Sequence, residues 1–125
     1  MLHLKHRLKH MKDWDILFKE GGFVSGDLVT LKTWKIEEGK YPKRGYSVDD
    51  LKIGFVVSKK IEKRAVRRNR VKRQMREAVR LLLKDNKIIP GYVIGMMAKS
   101  QILDKDYQDI ERDVVKTIKK AGLLI

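Results

Sequence analysis

The sequence predicts a small α+β domain, one sheet covered by helices. Three observations carry this. Two long segments, beginning near 63–65 and near 104, repeat apolar residues at helical spacing. Three others, 23–36, 51–58 and 92–97, read as strands by alternation or by their β-branched and aromatic content. The order is helix, strands, helix, strand, helix, which suits a single sheet with helices packed against it. A length of 125 residues fits one domain, 1–125, with a modest core.

Each element has a local reason. Residues 1–12 alternate Leu with His, Lys and Arg and read as a basic arm. A short helix is expected over 13–19, where Met11, Trp14, Leu17 and Phe18 share a face and Gly21–Gly22 stops it. The strand-like run Phe23–Ile36 contains Ser25–Gly26–Asp27, which can bend it or split it in two. Residues 37–50 form a polar loop with Gly39, Pro42 and Gly45, expected to be mobile. Leu51, Ile53, Phe55 and Val57 alternate onto one face of the next strand. A basic helix follows to about Lys84, ended by Asp85–Asn86, and after Pro90–Gly91 comes a buried-type strand, 92–97. The last helix is expected over 104–121, with Asp104 and Asp106 at its start and Lys116, Lys119 and Lys120 at its end, an order that complements the helix dipole.

Residues 59–80 hold eleven Lys/Arg and two acids, Glu62 and Glu77, so this one segment carries +9 of the chain's +14. At helical period Val71, Met75, Ala78, Val79 and Leu82 form an apolar stripe. Asn69, Arg73, Arg76 and Arg80 lie opposite, flanked by Arg70. Solvated charged faces normally mix signs for i, i+4 support, and this one scarcely does. Arginine forks match phosphate oxygens and stack on bases, and Asn69 offers a donor and an acceptor to a base edge or ribose hydroxyl, so the arrangement points to nucleic acid. Lys59 and Lys60, just before this helix, extend the cationic surface to the end of the strand. Trp14 and Phe18, one helical turn apart, either stack unpaired bases or simply pack in the core.

Other chemistries find less support. His3, His6 and His10 are spaced as half a metal site but lack a Cys or an ordered acidic partner. Asp13/Asp15 and Asp104/Asp106/Asp109 sit at helix starts, where capping explains them, and Asp49/Asp50 lie in a loop. Ser25 and Ser58 have no activating motif. Cysteine is absent, so disulfides, thiolate metal sites and a Cys nucleophile are excluded. Residues 1–12 lack the apolar core of a secretory signal, and the apolar run 88–98 is broken by Pro90, Gly91 and Gly95, so a cytoplasmic protein is expected.

The run IGFVVSKKIEKRAVRRNRVKRQMREAV, residues 53–79, resembles the protein subunit of bacterial ribonuclease P. That family has a strand ending in Ser-Lys-Lys and a helix of the form A-V-x-R-N-R-x-K-R-x-x-R-E. Ala65, Val66, Arg68, Asn69, Arg70, Lys72, Arg73, Arg76 and Glu77 fill those places. The opening is similar too, through Arg7, Leu8, Asp13, Trp14, Leu17, Phe18 and Gly21. Lys63 stands where the family usually has Gly, one extra residue precedes Ala65, Trp14 replaces the usual Phe, and 41–47 is a longer loop.

The resemblance implies a four-stranded sheet packed with three helices, a two-layer sandwich with an unusual left-handed βαβ crossover, like the second domain of a small-subunit ribosomal protein. General topology rules favour a right-handed connection. It also implies that the catalyst is RNA. The protein would bind that RNA through Lys59, Lys60, Arg67, Arg68, Asn69, Arg70, Lys72, Arg73 and Arg76. Trp14 and Phe18 would line a cleft for the 5′ leader of precursor tRNA. Mg²⁺ would be held mainly by RNA, with no catalytic residue and no dedicated metal site on the protein. A structural RNA-binding protein of ribosomal type, and a DNA-binding protein using the basic helix in a groove, are the competing readings.

Overall fold

In the computed structural model, residue 2 and residues 4–125 are described. Helix α1 spans Met11–Glu20, strands β1 and β2 span Gly22–Ser25 and Val29–Lys35, and β3 spans Leu51–Val56. Helix α2 follows at Ala65–Lys84, β4 at Tyr92–Ala98 and α3 at Tyr107–Lys120. Three short 3₁₀ turns, Leu4–His6, Pro42–Arg44 and Ser100–Asp104, complete the path.

The sheet order is β1-β2-β4-β3. β1 and β2 form an antiparallel hairpin, β2 and β4 are antiparallel, and β3 and β4 are parallel neighbours joined through α2. The fourth strand thus comes from splitting 23–36 at Ser25–Gly26–Asp27. The split is held from α3. Asp113, buried on that helix, accepts from the backbone N–H groups of Asp27, Leu28 and Val29 at 3.1, 2.8 and 3.1 Å. A carboxylate is well matched to three converging amides, and without it they would be desolvated and unpaired.

Helices α2 and α3 cover one sheet face. Val71, Met75, Ala78 and Val79 of α2 and Ile110, Val114 and Ile118 of α3 meet Leu31, Ile53, Ile94 and Met96 in the main core. A smaller core lies on the other face, where Leu8, Ile16, Leu17, Trp34, Ile36 and Val93 pack together. α1 therefore covers part of the second face and leaves the rest open.

Three boundaries differ from the sequence reading. α3 begins at Tyr107, because Asp106 accepts from Asp109 N–H at 2.9 Å and caps the helix there; Asp104 belongs to the preceding 3₁₀ turn. The buried face of α1 is Asp13, Ile16 and Leu17, whereas Met11 is 75% exposed. Residues 6–8 are docked on the sheet: Arg7 bridges Ile53 in parallel, Leu8 N–H donates to Ile53 O at 3.1 Å, and His6 Nδ1 bonds Leu51 O at 2.8 Å. Leu2 and Leu8 are buried and anchor the arm, while Lys5 and Lys9 are exposed and Arg7 is half-buried.

Candidate nucleic-acid interface

α2 is about 30 Å long at 1.5 Å per residue and is rooted by its apolar stripe. Its other side is a cationic arc of roughly 160°. One flank, Lys72 and Arg76, is half-buried against β3. The crest is Asn69 and Arg73, both exposed. The far flank is Arg70, whose guanidinium reaches Leu103 O at 3.4 Å. Arg80 is paired with Glu77 at 2.6 Å and leaves the free row.

The start of α2 has no acid in its first turn and no side-chain cap. Unpaired N–H groups there meet several cations, an arrangement that favours an incoming anion. Glu62 compensates in part. It accepts from Arg64 Nε at 2.8 Å and lies 3.7 Å from Arg67, and Arg64 foremost, against burial, holds its carboxyl below the usual range. Arg68 donates to the carbonyls of Glu62 and Lys63 at 3.1 and 2.6 Å, so its guanidinium ties down the strand-to-helix connection. Lys59 and Lys60 are exposed in the preceding turn, where Ser58 Oγ accepts from Lys60 N–H at 3.0 Å.

Trp14 and Phe18 stack with ring centroids 6.0 Å apart and planes 25° from parallel. Trp14 sits half-buried over two glycines in register, Gly54 and Gly95. A side chain at Gly95 would place Cβ 2.8 Å from the indole, and one at Gly54 would overlap it. The same cross-strand row continues through Lys32 to Phe23. Phe18 and Phe23 are 48% and 66% exposed. Between them the Lys32 ammonium lies 3.8 Å from the Phe23 centroid and 5.9 Å from Phe18. Lys32 is only 7% exposed. Core packing thus accounts for much of Trp14 and little of Phe18. Lys32 and Phe23 went unnoticed in the sequence, although strand alternation puts Thr30, Lys32 and Trp34 on one face.

The loop 37–50 is strapped along α1. Tyr41 and Tyr46 meet Trp34 edge-on, with centroids at 5.8 and 5.3 Å. Tyr41 O–H and Lys40 Nζ donate to Glu20 at 3.1 and 2.6 Å. At the other end Asp13 accepts a bidentate Arg44 at 3.0 and 3.1 Å, together with Tyr46 O–H. Burial raises the Asp13 carboxyl, but the Arg44 and Tyr46 bonds outweigh it and hold it below the usual range. Burial first, then the Asp13 carboxylate, pushes the Tyr46 phenol up. Asp13 is therefore a strap anchor rather than a helix cap, and the loop is not free. Its spacing from Ile16 and Leu17 was the available signal.

His3 lies outside the described residues. His6 is engaged by Leu51 O, and no group of three or more His, Cys, Asp or Glu among the described residues is placed to hold a metal ion. Ser25 Oγ accepts from Lys99 Nζ at 2.6 Å, so that serine stabilises the hairpin turn.

The free edge of β3 opens into a cleft of about 350 Å³, lined by Arg7, Leu8, Lys9, Trp14, Phe55, Lys72 and Arg76 among others. Arg76 stands 5.9 Å from the Phe55 centroid. A cationic helix beside an aromatic sheet face defines an RNA-binding α+β domain, able to hold phosphates and stack unpaired bases.

Comparison with known proteins agrees. The Ribonuclease P family matches residues 2–122. The chain is 31% identical to the ribonuclease P protein component of a Synechococcus strain, over 100% of this chain and 88% of that one. It is 32% identical to the Clostridium botulinum (strain 657) component, over 95% and 96%. It also superposes on the Staphylococcus aureus RNase P protein, at TM-score 0.78, 24% identity and coverage of 96% and 98%, and on that of Thermotoga maritima at 0.72, 23% identity, 91% and 96%. The chain belongs to the ribonuclease P family, as its protein component.

Proposed function

We propose that the chain binds the catalytic RNA of ribonuclease P and the 5′ leader of precursor tRNA, and assists removal of the leader to give the mature 5′ end. The observation that supports this best is the coexistence of two different RNA-type surfaces: the cationic arc of α2, suited to folded RNA, and the Trp14–Phe18 stack beside Lys32 and Phe23, suited to single strands. Asn69, Arg70 and Arg73 would dock on the catalytic RNA, and Lys59, Lys60 and Arg67 would widen that contact. Trp14 and Phe18 would receive leader bases.

The hydrolytic chemistry is assigned to RNA, with Mg²⁺ bound mainly by the RNA and substrate. Four of the protein's carboxylates are committed to its own architecture: Asp13 to the strap, Glu62 to the start of α2, Asp106 to a cap and Asp113 to the hairpin. What the protein adds is positive charge against phosphate repulsion, which lowers the magnesium requirement. Among the described residues no helix is long and apolar enough to cross a membrane; the cytoplasm, where tRNA matures, is the proposed location.

The test is reconstitution. The chain mixed with the catalytic RNA of its source should support leader removal at low magnesium, leaving a 5′-phosphate on the tRNA. Cleavage by the protein alone, or equal affinity for that RNA and bulk nucleic acid, would overturn the proposal. A ribosomal-type binder would share the affinity for folded RNA without preferring leader-bearing tRNA.

A further inference from the structure

The chain's net positive charge resides almost entirely in two stretches. Residues 1–12 carry four Lys/Arg and no acid, and 59–80 carry net +9, leaving only +1 for everything else. The fold brings these stretches face to face. Docking of residues 6–8 on β3 sets Arg7 and Lys9 on one wall of the cleft at the strand's free edge, and α2 sets Lys72 and Arg76 on the other. Phe55 and Trp14 form the aromatic part of the lining. Among the described residues this cleft has no carboxylate, whereas four other surface clefts each contain at least one: Asp27, Asp109 and Asp113 in one, and Asp15, Asp13 and Glu111 in the others.

Like charges are costly to collect in a recess, because the low-dielectric walls concentrate their field. Their repulsion falls when a polyanion enters. The backbone contributes as well. Ile53 O faces the strand edge to meet Leu8 N–H, and strand alternation turns the Phe55 N–H the same way, towards the cleft. The recess therefore combines cations on opposite walls, a neutral N–H donor and two aromatic surfaces. Duplex RNA is too broad for a cleft of about 350 Å³; a single nucleotide with its flanking phosphates is of the right scale.

We propose that the N-terminal segment is a working wall of the substrate site: Arg7 and Lys9 close with Lys72 and Arg76 on the phosphates of one single-stranded leader nucleotide beside Trp14. This deepens the leader-binding reading above and rests on it. Leu2, Leu8 and the backbone bonds fix the segment's position, so Arg7 and Lys9 act as a preformed wall of the clamp.

Lys9 provides the test, because its side chain is exposed and its loss leaves the docking bonds intact. Arg7 is less suitable, since its Nε also holds Leu2 O at 3.0 Å. In the reconstituted holoenzyme, Lys9→Ala should weaken binding of leader-bearing precursor about fivefold, as expected for about 1 kcal/mol from one partly exposed ionic contact. It should lower the log–log salt slope by about 0.7, the single-strand value per phosphate. Mature tRNA binding should not change, and Lys9→Arg should restore the precursor. Leaders carrying one neutral methylphosphonate, scanned along their length, should include a position at which Lys9→Ala costs nothing further.

Equal losses for precursor and mature tRNA, or no methylphosphonate position coupled to Lys9, would overturn the clamp. Trp14→Ala separates the two levels. If it spares mature tRNA and weakens precursor while Lys9→Ala leaves both unchanged, the clamp alone is wrong. If Trp14→Ala weakens both equally, the leader-binding reading itself fails, and the clamp with it.

Discussion

Replacing Gly54 by Ala tests how the stacking platform is built, because it disturbs Trp14 without removing any aromatic ring. A methyl group there would overlap the indole six-membered ring and come 3.1 Å from Leu8 Cβ. Neither neighbour can retreat easily: Leu8 is buried and its N–H is bound to Ile53 O. On backbone grounds alone, Gly→Ala within a strand should stabilise by about 0.5–1 kcal/mol. Overpacking of a well-filled site costs about 1–3 kcal/mol. The clash should win, giving a net loss of about 1–2 kcal/mol, or a fall in Tm of about 4 °C per kcal/mol for a chain of this size. Trp14→Ala should cost about 2 kcal/mol, less than a fully buried ring, since the indole is half-exposed. In the double variant the methyl occupies space the indole has left. The two losses should then fail to add, with a coupling of about 1–2 kcal/mol. Urea unfolding followed by circular dichroism, with unchanged m-values, measures the cycle. Additive losses would refute the seating of Trp14 on Gly54. In the holoenzyme, Gly54→Ala should also weaken precursor binding more than mature tRNA binding, because the tilted indole no longer lies parallel to Phe18.

Two further outcomes follow from the arrangement of cations and from the loop strap. Arg70→Ala with Arg73→Ala should lower the salt slope for binding the catalytic RNA by about 1.8, at about 0.9 per phosphate contact; Arg68→Ala should instead show mainly as lost stability, about 1–2 kcal/mol for its two carbonyl bonds, and an Arg68 variant that changes the slope as much as Arg70 would contradict the separation. The Asp13 carboxyl titrates below its ordinary 3.8 in the folded chain. Its stabilisation is therefore present above about pH 4 and lost as pH falls through the folded value, so Asp13→Asn should lower Tm at pH 6 and flatten the acid-side decline in Tm between pH 5 and pH 2. A parallel decline in both proteins would count against the Asp13–Arg44–Tyr46 anchor.

Much of the fold was legible because the signals were local. The stripe on α2, the alternation in β3 and the stop at Asp85–Asn86 depend on neighbours within a few residues. The hairpin was half-legible: Ser25–Gly26–Asp27 marked the break, but what stabilises the turn is Asp113, more than eighty residues away in sequence. The loop strap was misread for the same reason. Polar residues 37–50 look mobile until Arg44 and Tyr46 find a buried carboxylate on α1, and no short-range pattern announces a pairing across about thirty residues. Arg68 illustrates a different limit. The family resemblance marked it for RNA binding, and chain geometry at the start of α2 directs its guanidinium back onto two carbonyls. The docked arm was hidden because Leu2 and Leu8 are too far apart to form a periodic signal, although each is buried.

On the proposed function, the arc on α2 would let one helix contact two RNAs without confusing them. Lys72 and Arg76 are held half-buried beside Phe55 and look into the cleft, while Asn69 and Arg73 look outward and Arg70 leans towards Leu103. Rotation of the helix about its axis would mix these roles. That rotation is opposed by Val71, Met75, Ala78 and Val79, each essentially inaccessible to solvent and packed on both the sheet and α3. The apolar stripe therefore does more than stabilise. By fixing the azimuth of the cations, it would fix the position of a leader in the proposed cleft relative to an RNA on the crest. A rigid helix transmits that geometry with little loss, which a flexible basic tail of equal charge could not do. On that reading the excess of positive charge would give affinity for RNA in general, and the packed underside of α2 would divide it between the two proposed partners.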